Sequence, residues 1–128
     1  MTVWGSHRLT NVDPDLVRVV DLVGSRRDVC VAQGARSVAD EQHAIDTGRS
    51  HLSDPLNSLH VIEPGVRDLA LAVDLTPWPV NWQDHQSFVA LAADVKAAAA
   101  ELGVEPFSWG GDWPHAFDFD HYQKAPAP

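Results

Sequence analysis

Residues 69–75, LALAVDL, constrain the fold more tightly than any other stretch of the chain. Side chains alternate across a strand, so Leu69, Leu71, Val73 and Leu75 fall on one face and Ala70, Ala72 and Asp74 on the other. The first face is predicted to be core. The second is built from small residues and ends in a carboxylate at the C-terminal end of the strand. An acid flanked by apolar side chains is costly unless a partner compensates its charge. A cation is the natural partner; a cap or an ordinary salt bridge is the competing reading. The chain must therefore fold around this strand and also bring something positive to Asp74.

The flanking segments supply the rest of a mixed fold. Asp13-Pro14 opens a helix whose Leu16, Val19, Val20 and Val23 share one face, with Gly24 as the stop. Asp28 to Gln33 reads as a short strand, and Ser37 to Thr47 as a helix capped by Ser37 with Asp40 and Glu41 in its first turn. Arg49 to Asn57 is a polar loop, and Pro64-Gly65 marks a turn. Asp84 to Leu102 carries the longest apolar stripe, stopped by Gly103. Val104 to Trp109 and His115 to Tyr122 are predicted strands around a Gly110-Gly111 turn. Met1 to Asn11 reads as an irregular lead-in. Together these predict one α+β domain over residues 1–128, a small and mostly antiparallel sheet with flanking helices, and a loose tail from about residue 124.

Charge and composition narrow the function classes. The net charge is −9 and Arg26-Arg27 is the only basic pair, so the chain lacks the footprint of a nucleic-acid reader and is poorly suited to anionic membranes. No segment approaches the length of a membrane span, and the N-terminus has no apolar signal core. The expectation is a monomer made in the cytoplasm, without stable membrane insertion, that something else must release if its substrate lies outside. Cys30 is the single cysteine; it excludes an intrachain disulfide and is expected in the core.

Seven histidines remain to be sorted. His7, His43 and His85 read as surface residues, whereas His51, His60, His115 and His121 lie in or beside loops rich in Asp, Ser and Gly. Two imidazoles and one carboxylate, with water in the fourth place, make a catalytic zinc site. His60, Asp74 and His121 can form one, although spacing alone does not single out this triple. Trp78, Trp82, Trp109 and Trp113 flank these positions, either lining a cleft or filling the core, and Asp112 reads as a structural hydrogen-bonding residue.

Four motifs carry a resemblance that runs from about Ser6 to Gln123. They are Gly34-Ala35-Arg36-Ser37 with Glu41-Gln42; Gly48-Arg49-Ser50 leading to Ser58-Leu59-His60; Ala72-Val73-Asp74-Leu75; and Trp109-Gly110-Gly111-Asp112-Trp113 followed by Asp118, His121, Tyr122 and Gln123. In this order the chain resembles the zinc peptidoglycan peptidases that include phage L-alanyl-D-glutamate endopeptidases and bacterial D-Ala-D-Ala carboxypeptidases. The resemblance implies a hedgehog/DD-peptidase-like fold and a Zn2+ ion on His60, Asp74 and His121. It also implies Asp118 as catalytic acid/base, and Arg36 and Ser58 as residues that position substrate or ligands. The substrate so implied is the peptidoglycan stem peptide, cut by a phage endolysin during host lysis. The chain departs from the family pattern in two places. Thirteen residues separate His60 from Asp74, where the family has H-x6-D, and the excess around residues 63–67 reads as an inserted turn at the site rim, with His51 as the fallback ligand. Asp120 replaces a proline before the last His and adds a second carboxylate beside Asp118. A D-Ala-D-Ala carboxypeptidase and a non-catalytic zinc-containing wall-binding module are the other readings of the same motifs; an unrelated acidic metal-binding protein is the reading without them.

Overall fold

The structure, a computed structural model, describes residues 1–50, 52–114 and 118–128. In chain order its elements are β1 (Val3–Trp4), α1 (Pro14–Gly24), β2 (Val29–Gln33), β3 (Arg36–Ser37), α2 (Val38–Asp46), β4 (Val61–Ile62), β5 (Ala72–Pro77), α3 (His85–Leu102), β6 (Ser108–Trp109) and β7 (His121–Gln123), with short 3-10 turns between them. One five-stranded sheet runs β1-β2-β5-β7-β6, and β3 pairs with β4 separately. Every pairing in the large sheet is antiparallel except that of β1 with β2. The α+β class with a mostly antiparallel sheet is thus as the sequence predicts.

The helices form where local chemistry asks for them. Asp13 caps α1 by accepting from the Asp15 amide (2.9 Å), Ser37 caps α2 by accepting from the Asp40 amide, and Asp84 caps α3 by accepting from the Ser87 amide. Gly103 ends α3 in the left-handed conformation at φ 68°, which a residue without Cβ adopts at no steric cost. Helices α1 and α3 pack on each other and on the sheet, burying Leu16, Val19, Val20 and Val23 from one and Leu91, Ala92, Val95 and Ala98 from the other against Val29, Val31, Val73 and Leu75. Each of the buried Val and Leu side chains contributes about 1.5–3 kcal/mol of transfer free energy.

Several expected boundaries move, each for a tertiary reason. The strand predicted at 69–75 lies at Ala72–Pro77, and Leu69, assigned to the core, is 38% exposed. Residues 70 and 71 bond instead to loops: the Ala70 amide donates to the Asn11 carbonyl and the Leu71 amide to the Leu59 carbonyl. Thr76 and Pro77 extend the strand because β2 is there to pair with them. Both faces of β5 are covered, so Ala72 and Thr76 are as buried as Val73 and Leu75. The lead-in contains β1 and a 3-10 turn over Ser6–Leu9. The 104–109 strand shrinks to β6, because the Val104 amide closes the end of α3 and Pro106 has no amide to offer. The last strand is only His121–Gln123; of its predicted start, residues 115–117 lie outside the described residues and 118–120 form a turn. Cys30 is half-buried rather than core. The tail expected to be loose is held at residues 124–126: Lys124 pairs with Asp13 and Asp15, and the carbonyls of Ala125 and Pro126 accept from Ser108 Oγ and Gln123 Nε2.

Candidate metal centre

Strand alternation turns Val73 and Leu75 toward the helices, so Asp74 points to the opposite face of the sheet. Its neighbours there are fixed by register. His121 of β7 stands directly opposite Asp74, and Gln33 of β2 pairs with it from the other side. His121 Nδ1 lies 3.4 Å from Asp74 Oδ1. The second imidazole arrives from outside the sheet: His60, just before β4, places Nε2 3.1 Å from the same oxygen. One ligand atom from each of His60, Asp74 and His121 lies within 4.8 Å of the other two, so the three form a group able to bind a divalent metal ion. The triple that spacing could not single out is therefore assembled by the fold.

The surroundings of the imidazoles fit such an ion. His60 Nδ1 is 2.9 Å from the Gly34 carbonyl, which can only accept, so this nitrogen carries the proton and Nε2 keeps its lone pair toward Asp74. His121 Nε2 donates to Gln123 Oε1 at 2.9 Å, which by the same logic leaves the lone pair on Nδ1. Both rings are thus oriented by a partner on the far nitrogen, as ligating histidines are. They meet edge-on with centroids 5.2 Å apart.

Electrostatics reflect this crowding. Burial opposes ionisation of Asp74, yet the two imidazoles outweigh it and hold the carboxyl well below its ordinary range. His121 is raised: burial disfavours its cation, but the hydrogen bond and charge of Asp74 prevail. Asp120 is pushed up to about 9, first by burial, then by its hydrogen bond to Asp118 and the nearby negative charges of Asp74 and Asp118. A bound cation would draw that value down.

The remaining expected site residues divide. Asp118 is exposed on the turn before β7, outside the three-residue group, and its charge is felt at His121. The turn is folded against Gly110, where a Cβ would meet the Asp118 carbonyl at 2.4 Å; glycine is what lets the two segments approach. Arg36 donates its backbone N–H to the His60 carbonyl (2.7 Å), and its guanidinium pairs with the buried Glu41. Ser58 is buried, with Oγ accepting from the His60 amide (3.3 Å), so it braces the ligand loop. His51, the fallback ligand, and His115 lie outside the described residues. Of the tryptophans, Trp109 is core, and Trp113 lies against His121 with centroids 5.2 Å apart and a buried indole N–H that has no hydrogen-bond partner among the described residues. Trp78 stacks on Trp4 and Trp82 on Phe88, all but Phe88 exposed. Asp112 pairs with Lys96 at 2.6 Å, as its structural reading expects.

Three contributors were not legible beforehand. Gln123 follows His121 by two residues and so shares its face, a signal that strand periodicity could have given. The Gly34 carbonyl had no signal. Arg67, inside the inserted turn, donates Nη1 to the carbonyls of Ser58 and Val61 (both 2.9 Å) and Nη2 to that of Leu56, gripping the backbone on both sides of His60.

A family model for the phage L-alanyl-D-glutamate peptidase matches residues 2–125. The chain belongs to that family. It is 31% identical over 117 residues to the L-alanyl-D-glutamate peptidase of Escherichia phage T5, covering 88% of this chain and 80% of the relative. It is also similar to the crystal structure of the Serratia marcescens L-Ala D-Glu endopeptidase ChiX, with a TM-score of 0.76 and 30% identity over 96% of this chain and 87% of the other. Among the described residues, no helix of this family member is long and apolar enough to cross a membrane.

Proposed function

We propose that the protein is a zinc-dependent endopeptidase that hydrolyses the L-alanyl-D-glutamate bond of peptidoglycan stem peptides, acting as a phage endolysin in host lysis. The observation that carries the reading is the convergence of His60 Nε2, Asp74 Oδ1 and His121 Nδ1, with the far nitrogen of each imidazole already engaged. Two neutral imidazoles and one carboxylate are the donor set of hydrolytic zinc sites that keep a coordination position open. Zinc held there supplies Lewis-acid polarisation of water and of the scissile carbonyl. Asp118 accepts the proton of the attacking water and returns it to the leaving amine. Its exposure leaves it free to reach substrate, whereas half-buried Asp120 hydrogen-bonds to it and steadies it. Arg36, its guanidinium paired with Glu41, is assigned to substrate positioning by the family resemblance, and Ser58 orients the His60 loop. The bond assignment follows the names of the two relatives, both of which specify L-Ala and D-Glu.

The test is digestion of purified peptidoglycan by zinc-loaded protein. New amino groups should appear together with N-terminal D-glutamate on the released fragments. Free D-alanine instead would mean a carboxypeptidase, and no release at all would overturn the enzymatic reading. Asp118→Ala should keep stoichiometric zinc and lose hydrolysis; retained hydrolysis would remove Asp118 from its role.

A further inference from the structure

Two cavities share Gln33 and Arg36 among their walls, and none of His60, Asp74 and His121 lines either of them. The first, of about 320 Å³, lies between the N-terminal turn and the end of β2. Its walls include His7, Arg8, Thr10, Asn11, Gly34 and Arg36, and among the described residues no Asp or Glu. In a chain of net charge −9 a cavity free of carboxylates and bordered by two arginines is unusual.

Arg8 sets it apart. Arg18, Arg26, Arg27, Arg36, Lys96 and Lys124 each pair with a carboxylate, whereas among the described residues Arg8, Arg49 and Arg67 do not; Arg67 is spent on backbone carbonyls and Arg49 lies in the wall of the second cavity, beside Asp40. Arg8 pairs with none among the described residues; its Nη1 donates to the Val31 carbonyl at 3.2 Å, which anchors the guanidinium without neutralising it. The second cavity, by contrast, has Asp40 in its wall.

The first cavity is coupled to the metal centre through backbone. Gln33 is paired in register with Asp74, and the Gly34 carbonyl accepts from His60 Nδ1. Gly34 also permits the approach of the Arg8 segment, since a Cβ there would meet the Arg8 carbonyl at 1.8 Å. A ligand in the cavity therefore sits beside the residues that hold the metal ligands.

We propose that this cavity is the subsite for the free carboxylate of the D-glutamate residue, with Arg8 as its counter-ion. The inference rests on the bond assignment above. Glutamate has two carboxyl groups and only one continues the stem, so the other is a free anion or, where the wall is amidated, a neutral carboxamide. A guanidinium that no carboxylate neutralises distinguishes the two, because charge-assisted hydrogen bonds are roughly twice as strong as neutral ones.

The experiment uses two synthetic stem peptides that differ only in a carboxylate or a carboxamide on D-glutamate. Zinc-loaded wild-type protein should cleave the carboxylate form with the lower KM. Arg8→Gln should raise that KM by about ten- to a hundredfold while moving the KM of the amidated stem little, so the preference collapses. Arg8→Lys should restore part of it, and Arg18→Gln, an equal charge change elsewhere, should leave the preference intact. Equal losses on both stems in Arg8→Gln, or a wild-type protein indifferent to amidation, would overturn the subsite. Calorimetric binding of both peptides to the Asp118→Ala protein separates this from the activity. If neither stem is cleaved, a binding preference for the carboxylate that Arg8→Gln abolishes still upholds the subsite, and equal binding overturns it.

Discussion

His60 and His121 face the same carboxylate oxygen but are delivered by opposite means. His121 sits in a strand, paired in register with Asp74, and its outer nitrogen bonds a side chain two residues along the same strand. The ladder that holds the sheet together also aims the ring. His60 sits in a loop between a 3-10 turn and the two-residue strand β4, with no place in the large sheet. Its position depends on contacts from elsewhere: the Gly34 carbonyl, the Arg36 amide, the Ser58 hydroxyl and the guanidinium of Arg67. A strand residue inherits its geometry from the sheet, whereas a loop residue needs braces of its own. The extra length between His60 and Asp74 makes that need greater, and Arg67, within the extra length, answers it.

The largest expected effect tests the strand-borne arm. His121→Ala should abolish both stoichiometric zinc and hydrolysis, read by metal analysis after dialysis and by amine release, while the fold persists. Retention of zinc would break the assignment. Gln123→Ala removes the partner that fixes the His121 ring and should weaken zinc binding by about ten- to a hundredfold in competition with a chromophoric chelator. Arg67→Ala should weaken zinc about tenfold by loosening the loop, with Arg67→Lys intermediate; an affinity equal to wild type would mean that the loop holds His60 without this brace. Leu91→Ala lies on the helix side of the sheet and should lower unfolding free energy by about 2–5 kcal/mol in a denaturant titration, with zinc stoichiometry unchanged. Ser58→Ala should have the smallest effect, at most a few-fold in zinc affinity, because the hydrogen bond it loses is a long, neutral one.

Legibility from sequence followed the range of the forces involved. Helices α1, α2 and α3 were readable to within a residue or two because caps, glycine stops and apolar spacing are local. Strands β1, β3 and β4 are two residues each, too short for alternation to register, and exist only because a partner from a distant part of the chain bonds to them. The shift of β5 has the same origin: residues 70 and 71 look like strand but are taken by the loops of Asn11 and Leu59. The metal-centre residues were named from motifs, and the acid at position 74 pointed to a compensating partner, with a cation and a cap or ordinary salt bridge both open.

What the sequence determined alone is therefore the helices, the apolar strand at the centre of the fold and the kinds of side chain available for chemistry, all properties of residues close in the chain. Tertiary structure decided which histidine nitrogen faces Asp74, that Arg67 grips the loop of His60, and that Arg8 is left without a carboxylate among the described residues. Those outcomes depend on register and on contacts that helical or strand spacing does not set, where a shift of one residue would turn His121 to the opposite face of the sheet.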